Sequence, residues 1–181
     1  KDRQKQRSCM DSVPMGSMNS LPVTWSDADF IDLDYVNQFG SPLAPFSKYT
    51  NKIYEQIIKV GNYSKPKTMP LFVDKICESF DYKTVVPAIN KMEPGMCLPP
   101  HQDAYERFME VYKVSDASKI DRYLVLLQDS SPGQMVQIDK DIIGYWKKGN
   151  YIGWSGHTQH AAYNLSAVDR YALQVTCFDK I

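Results

Sequence analysis

The chain lacks the features that mark several specialised classes. Its four cysteines, Cys9, Cys77, Cys97 and Cys177, are widely separated and form no CxxC pair. That spacing argues against a cysteine-only zinc site and against a scaffold built on disulfides. Buried or free thiols in a reducing compartment are the expectation. Neither sign of charge is in surplus: 21 Lys and Arg face 21 Asp and Glu, for a formal net charge of zero. A general polyanion binder draws its affinity from counterions released by bulk positive charge, so no nucleic-acid partner is expected. No apolar run approaches the roughly 20 residues needed to cross a bilayer, and no membrane partner is expected. The opening Lys1-Asp2-Arg3-Gln4-Lys5-Gln6-Arg7 has no apolar core of a secretory signal. Histidine is scarce as well, with His101, His157 and His160 the only three.

What is present is ordinary globular material. The 181 residues are 43% apolar and 23% charged, close to average usage. That is enough chain for one domain with a sizeable core. Residues 1–24 are rich in turn and breaker residues, among them Ser12, Pro14, Gly16, Asn19 and Pro22, and read as a flexible or extended N-terminal segment. Residues 25–181 read as a single domain, helical over about 25–82 and β over about 84–178.

In the helical part, Ser26 and Asp29 have capping-box spacing, and a helix through Phe30, Leu33, Val36 and Phe39 ending at Gly40 is expected. Ser47 opens a second helix with Tyr49, Ile53, Ile57 and Val60 on one face and Gly61 as its stop. A third runs from Leu71 to Phe80, with Phe72, Ile76 and Phe80 on one face. From residue 84 the period changes to that of strands: 84–90, 122–127, 135–138, 151–154, 160–164 and 171–178, with Ser131-Pro132-Gly133 as a turn. Short strands at near-regular spacing predict a sandwich or barrel. The class is α+β, mainly β, with the N-terminal helices packed on the β core.

The histidines fall in this β half. In an extended segment residues i and i+2 share a face, so His101 and Asp103 in His101-Gln102-Asp103 can offer a nitrogen and an oxygen to one ion. His160 can supply the third ligand. Two histidines and one carboxylate on one face of an octahedron is the ligand set of non-haem Fe(II) oxygenases. His160 is preferred to His157, which follows Gly156 in a loop. Arg170 lies ten residues after His160. A hairpin centred near Leu165 would set 160 and 170 opposite each other, where the Arg side chain reaches a carboxylate bound at the metal. The competing reading of Arg170 is a surface ion pair with Asp169.

At these residues the chain resembles the Fe(II)/2-oxoglutarate-dependent dioxygenases. The stretch from Asn90 through Pro94-Gly95 to Leu98-Pro99-Pro100-His101-Gln102-Asp103 is similar to their approach to the metal motif. Gly149-Asn150-Tyr151-Ile152-Gly153-Trp154 resembles the strand leading to the distal histidine. His160-x3-Asn164-x-Ser166-x3-Arg170 resembles their closing segment. The HQD triplet is similar to phytanoyl-CoA-hydroxylase-like members, the Pro-Gly approach to prolyl hydroxylases, and the HAxxNxS segment to aspartyl/asparaginyl and free-proline hydroxylases. Small phage-encoded members are similar too. The likeness covers about residues 84–178. Met92 departs from the prolyl hydroxylases, where a Tyr helps hold the co-substrate.

The resemblance implies a double-stranded β-helix core, jelly-roll or cupin-like. It implies Fe(II) held by His101, Asp103 and His160, with 2-oxoglutarate and O2 as co-substrates and Arg170 on the distal carboxylate. Tyr123 and Asn90 are candidates for the role of the missing Tyr. The activity implied is hydroxylation of a small molecule (an amino acid or acid) or of a protein residue, with succinate and CO2 as co-products. Asp103, replaced by a small residue in halogenating members, favours hydroxylation. Arg107 and Arg122 are candidates for a substrate carboxylate, with surface pairing to Glu106, Glu110 or Asp121 as the alternative. Two other readings stand beside this one: a non-catalytic cupin-type binding module, and a hydrolase using metal at the same His/Asp/His site. The expected state is monomer or homodimer, and the expected location is cytoplasmic (the host cytoplasm for a phage-encoded protein).

Overall fold

The computed structural model describes residues 17–37, 59–60 and 64–181. The strands are β1 (Met18–Ser20), β2 (Tyr35–Asn37), β3 (Lys59–Val60), β4 (Ser64–Pro66), β5 (Tyr82–Met92), β6 (Met96–His101), β7 (Asp121–Leu126), β8 (Gln134–Ile138), β9 (Asp141–Ile143), β10 (Asn150–Ser155), β11 (His160–Asn164) and β12 (Arg170–Lys180). Two α-helices join them, α1 (Phe72–Cys77) and α2 (Glu106–Tyr112). The strands form two sheets, ordered β1-β10-β7-β12-β5-β4-β2 and β3-β6-β11-β8-β9. All pairings are antiparallel except the parallel contact of β3 with β6.

From β5 to β12 the chain changes sheet at every connection except the β8–β9 hairpin. The result is two four-stranded layers, β10-β7-β12-β5 and β6-β11-β8-β9, which is the jelly-roll double-stranded β-helix. Six of these eight strands fall where the sequence places them, within two residues at each end. The turn at Ser131-Pro132-Gly133 is closed by Gln134 N–H donating to the Ser131 carbonyl at 3.0 Å. Gly133 has φ +95°, and a Cβ there would sit 2.7 Å from the Leu165 carbonyl oxygen, so the turn needs glycine twice over.

The larger sheet is buried on both faces. Its outer face is covered by Trp25, Phe30, Phe72, Val73, Ile76 and Phe80, which pack with Ile89, Val125, Leu173 and Val175 of the sheet. Its inner face meets the smaller sheet through Leu126, Val136, Ile138, Trp146, Ile152 and Ala172. Double burial explains why β7 and β12 read as near-continuous apolar runs.

Among the described residues, the N-terminal part is less helical than the sequence predicts, and Phe39 and Gly40, the expected end of the first helix, lie outside them. The Ser26–Asp29 capping box forms, with Ser26 N–H donating to Asp29 Oδ2 at 2.6 Å, but it caps a single 3₁₀ turn over Asp27–Asp29. By Tyr35 the chain is already strand β2, paired with β4. Phe30 carries most of the packing: it is fully buried against Phe72 and Tyr171, Leu33 is partly buried against the same core, and Val36 is exposed. The apolar spacing of a helix was there, but backbone pairing with β4 satisfies the same residues as a strand. The helix expected from Ser47 to Gly61 falls mostly outside the described residues, and Lys59–Val60 at its end form β3 against Met96 and Cys97. The third expected helix, Leu71 to Phe80, is the shorter α1, with Phe72 and Ile76 buried on it and Phe80 buried beyond its end. No helix among the described residues is long and apolar enough to cross a membrane.

Candidate metal centre and anion pocket

His101 and His160 meet across the β6–β11 pair, where they are direct partners with ring centroids 4.3 Å apart. The register slips between this pair and Ala162↔Leu98, leaving Pro99 and Pro100 as the extra length in β6. Prolines have no N–H to give the ladder, so an irregularity falls naturally there, and such a bulge re-aims the residue beside it. His101 Nδ1 lies 2.7 Å from the Pro99 carbonyl and His160 Nδ1 lies 3.0 Å from the Thr158 carbonyl. With each Nδ1–H donated to backbone, each ring presents Nε2 as its ligand atom, the usual outer-shell arrangement of a metal-binding histidine.

Asp103 completes the group. Its Oδ1 is 3.8 Å from His101 Nε2 and its Oδ2 is 3.4 Å from His160 Nε2. The ligand atoms of the three residues all lie within 4.8 Å of one another. Burial pulls the His160 pKa down to about 4, against the opposing pull of the Asp103 charge. The neutral imidazole, the form that binds metal, is therefore the resting form. His157 is exposed in the preceding turn and takes no part.

Asp103 is itself held. Arg122 donates to its Oδ2 through one terminal nitrogen and to Thr176 Oγ1, at 3.2 Å, through the other. The guanidinium also stacks 4.7 Å from the centre of the Tyr105 ring. Arg122 thus sits inside beside the ligand rather than in a surface pair with Asp121.

Arg170 is fully buried. One terminal nitrogen reaches the Met92 sulfur at 3.0 Å, and the guanidinium lies 5.6 Å from the centre of the Trp146 ring. Its Nε and its second terminal nitrogen have no partner among the described residues. Burial lowers its pKa to about 10, so it remains a cation at neutral pH. The pair with Asp169 does not form; Asp169 accepts instead from Lys91 at 3.0 Å on the other face of the sheet.

The hairpin expected between His160 and Arg170 does not form either. β11 pairs with β6 and β8, and β12 pairs with β5 and β7, so the two residues belong to different sheets. Residues 165–169 cross from one sheet to the other, and both side chains point into the space between. The crossing is tied down by Asn164, which donates to the carbonyls of Met92 at 2.6 Å and Val168 at 2.9 Å. Ser166 Oγ sits 2.7 Å from Asn164 Oδ1 and accepts from Gln134 at 3.2 Å. A five-residue loop suits a hairpin and a crossover equally, so spacing alone could not separate them.

Between the sheets is a cavity of about 280 Å³ that brings together His101, Asp103, His160, Arg122, Arg170 and Asn90. Asn90 donates weakly to Gln174 Oε1, at 3.4 Å, and its own Oδ1 is buried without a partner. Two predicted residues are elsewhere. Tyr123 follows Arg122 directly, so strand alternation turns it to the outer face, where its ring packs on Phe80 and its hydroxyl meets that of Tyr82 at 2.9 Å. Arg107 lies exposed on α2, away from the cavity lining. Among the cavity residues that the sequence reading did not name as candidates are Trp154 and Gln174. Gln174 carried a signal, since it is the uncharged polar residue two strand periods beyond Arg170 in an otherwise apolar run.

No protein-family model matches the chain, and no curated protein matches it in sequence. Solved structures match its shape. A Pseudomonas putida prolyl-4-hydroxylase aligns over 65% of this chain and 73% of its own, at 10% identity and a TM-score of 0.49. A predicted oxalate decarboxylase from Thermotoga maritima aligns over 65% and 82%, at 13% identity and a TM-score of 0.41. A protein with a double-stranded β-helix domain from Klebsiella pneumoniae aligns over 54% and 70%, at 11% identity and a TM-score of 0.37. At these values the jelly-roll assignment stands on the strand order itself.

Proposed function

We propose that the chain is an Fe(II)- and 2-oxoglutarate-dependent dioxygenase that hydroxylates a small acid, an amino acid or a protein residue. The observation that carries this reading is the pairing, in one cavity, of a His/Asp/His group with a buried guanidinium that no acid among the described residues neutralises. A buried cation without a counterion is costly. It is retained where an anion arrives from outside, and a guanidinium suits a carboxylate because two N–H groups bind it side by side. Neither a hydrolytic water nor an inert barrel requires an unneutralised guanidinium in the same cavity as the metal ligands.

His101, Asp103 and His160 would hold the iron, which when bound supplies oxygen activation coupled to decarboxylation of the keto acid to succinate. The rest falls to this chain's own residues. Arg170 holds the far carboxylate of 2-oxoglutarate through its two unpartnered nitrogens. Met92 and Trp146 fix that guanidinium in place and keep water from it. Arg122 holds Asp103 in position by taking up Oδ2. Leu98, Leu124 and Val136 give the cavity the apolar walls that exclude side reactions.

The test is anaerobic addition of Fe(II) and then 2-oxoglutarate to the metal-free protein, read by the visible charge-transfer absorbance of the metal–keto-acid chelate. The band is expected in the natural chain and lost in Asp103→Ala. In Arg170→Ala it requires at least about tenfold more 2-oxoglutarate, the loss of a charge-assisted bidentate contact. No band in the natural chain overturns the reading.

A further inference from the structure

Arg122 and Trp154 are direct partners across the β7–β10 pair, and both side chains line the cavity beside the metal ligands. Both are more than nine-tenths buried, at 9% and 6% exposure. Each keeps one N–H with no acceptor among the described residues, Arg122 Nε and Trp154 Nε1. The terminal nitrogens of Arg122 are committed to Asp103 and Thr176, so Nε is the donor left over once the ligand is held. The other two described tryptophans behave differently. Trp25 and Trp146 donate their indole N–H to the carbonyls of Leu127, at 3.0 Å, and Gln128, at 3.1 Å. A buried donor without an acceptor is destabilising, and two at cross-strand positions on one cavity wall mark where an acceptor comes from outside.

The charge of the cavity points the same way. Its charged lining residues are Asp103, Arg122 and Arg170, an excess of one positive charge. A divalent metal and a dianionic keto acid cancel each other, so that excess remains. A further cation stands nearby. Ser64 pairs with Lys91, whose side chain is on the outer face, so the next residue, Lys65, shares the inner face with Asn90. Lys65 is half-buried and close enough to feel the Arg122 charge.

We propose that Arg122 Nε and Trp154 Nε1 form a subsite for one carboxylate of the primary substrate, separate from the Arg170 end of the cavity. The molecule oxidised is then a small carboxylic acid or amino acid held by its carboxylate next to the metal. The inference rests on the reading of Arg170 as the co-substrate anchor, since it needs the keto acid held at the opposite end. Arg122 thereby has two duties, one terminal nitrogen on the ligand Asp103 and Nε on the substrate.

Acetate is the probe, and the indole N–H signals of Trp154 and Trp146 in ¹⁵N NMR are the readout. Trp146 reports the Arg170 end, against which it packs. Acetate is titrated into the metal-free protein, then into protein with zinc(II) and saturating 2-oxoglutarate. The Trp154 signal is expected to move saturably in both titrations. Arg122→Lys keeps a positive charge but loses Nε, and it weakens that response about tenfold, the loss of one charge-assisted hydrogen bond. Trp154→Phe keeps a ring and removes only the N–H; followed by calorimetry, it weakens acetate binding too, which guards against a misfolded Arg122 variant. A Trp154 signal indifferent to acetate, with Trp146 still answering 2-oxoglutarate, overturns the subsite and leaves the co-substrate reading intact. A Trp146 signal indifferent to 2-oxoglutarate, with Trp154 following acetate, overturns the Arg170 anchor and leaves the subsite. An acetate response that vanishes once 2-oxoglutarate is bound gives these donors to the keto acid and overturns their assignment to the substrate.

Discussion

The two faces of the seven-stranded sheet are made by alternate residues of the same strands, yet one is finished and the other is not. On the outer face, polar groups that go under are paired within the chain. Trp25 donates to the Leu127 carbonyl, Lys91 reaches Asp169, and the Tyr82 hydroxyl joins Asp121 to Tyr123. On the inner face they are left open. Six buried side-chain nitrogen or oxygen atoms lack a partner among the described residues, and five of them belong to Asn90, Arg122, Trp154 and Arg170, which line the cavity. Structural surfaces satisfy their polar groups because leaving them bare costs stability. A surface that leaves several bare in one place is shaped for something that is not part of the chain.

The largest way to break that contrast is on the finished face. Phe30 is fully buried between Phe72 and Tyr171, at centroid distances of 6.3 and 5.1 Å. Phe30→Ala is expected to cost about 3–5 kcal/mol of unfolding free energy. The charge-transfer band of the folded fraction should keep its 2-oxoglutarate dependence. Urea denaturation gives the first quantity and the anaerobic titration the second. A shifted titration would mean that the outer cover shapes the cavity.

The unfinished face should respond with the opposite sign. Replacing Arg170 by Met removes a buried cation that has only a sulfur contact and an aromatic face for company. The unfolding free energy is expected to rise by about 1–3 kcal/mol, because an apolar side chain of similar length avoids the desolvation of the charge. The 2-oxoglutarate dependence of the band should be lost in the same variant. Gain of stability with loss of ligand in one substitution is the signature of a residue kept for binding. A loss of stability would show that Arg170 supports the fold.

A smaller effect comes from His160. Its pKa falls from 6.5 to about 4 on folding, chiefly through burial. Between those values the unfolded chain binds more protons than the folded one. The contribution is therefore complete above pH 6.5 and is lost as the pH drops toward 4. Urea midpoints of the metal-free protein at pH 7.5, 5.5 and 4.5 should fall in that order, and His160→Asn should flatten the slope. An unchanged slope in the variant would place the pH dependence on other groups.

Much of this was legible beforehand, and the part that was not fails for identifiable reasons. The strands of the β half announce themselves because β-branched and aromatic runs are bounded by Pro, Gly and Asn, as at Ser131-Pro132-Gly133. The metal group was legible because His101 and Asp103 are two residues apart and His160 begins a strand. The segment 30–36 misleads because Phe30, Leu33 and Val36 repeat at helical spacing, while Phe30 and Leu33 pack on the core from a turn and Val36 lies in a strand. The His160–Arg170 relation misleads differently: the interval was right and the geometry wrong. Period-2 patterning tells which way a side chain faces within its own sheet, but not whether the next strand joins that sheet.

The smallest effect settles the sharpest point. Arg122 and Tyr123 both entered the candidate site from sequence, yet adjacent strand residues cannot share a face. The structure gives the cavity to Arg122 and the outer face to Tyr123. There Tyr82 donates to Asp121 Oδ2 at 2.7 Å, so its single proton is used, and the 2.9 Å contact is Tyr123 donating to Tyr82. Burial raises the Tyr123 pKa to about 12, which keeps that proton in place at any ordinary pH. Tyr123→Phe therefore removes one donor and leaves the Tyr82 oxygen without it, while Tyr82 still donates to Asp121. The expected cost is about 1 kcal/mol of stability, with the 2-oxoglutarate titration unchanged. A weakened titration would mean that the two faces of the sheet are not independent, and that the outer hydroxyl chain sets the position of Arg122 through the backbone they share.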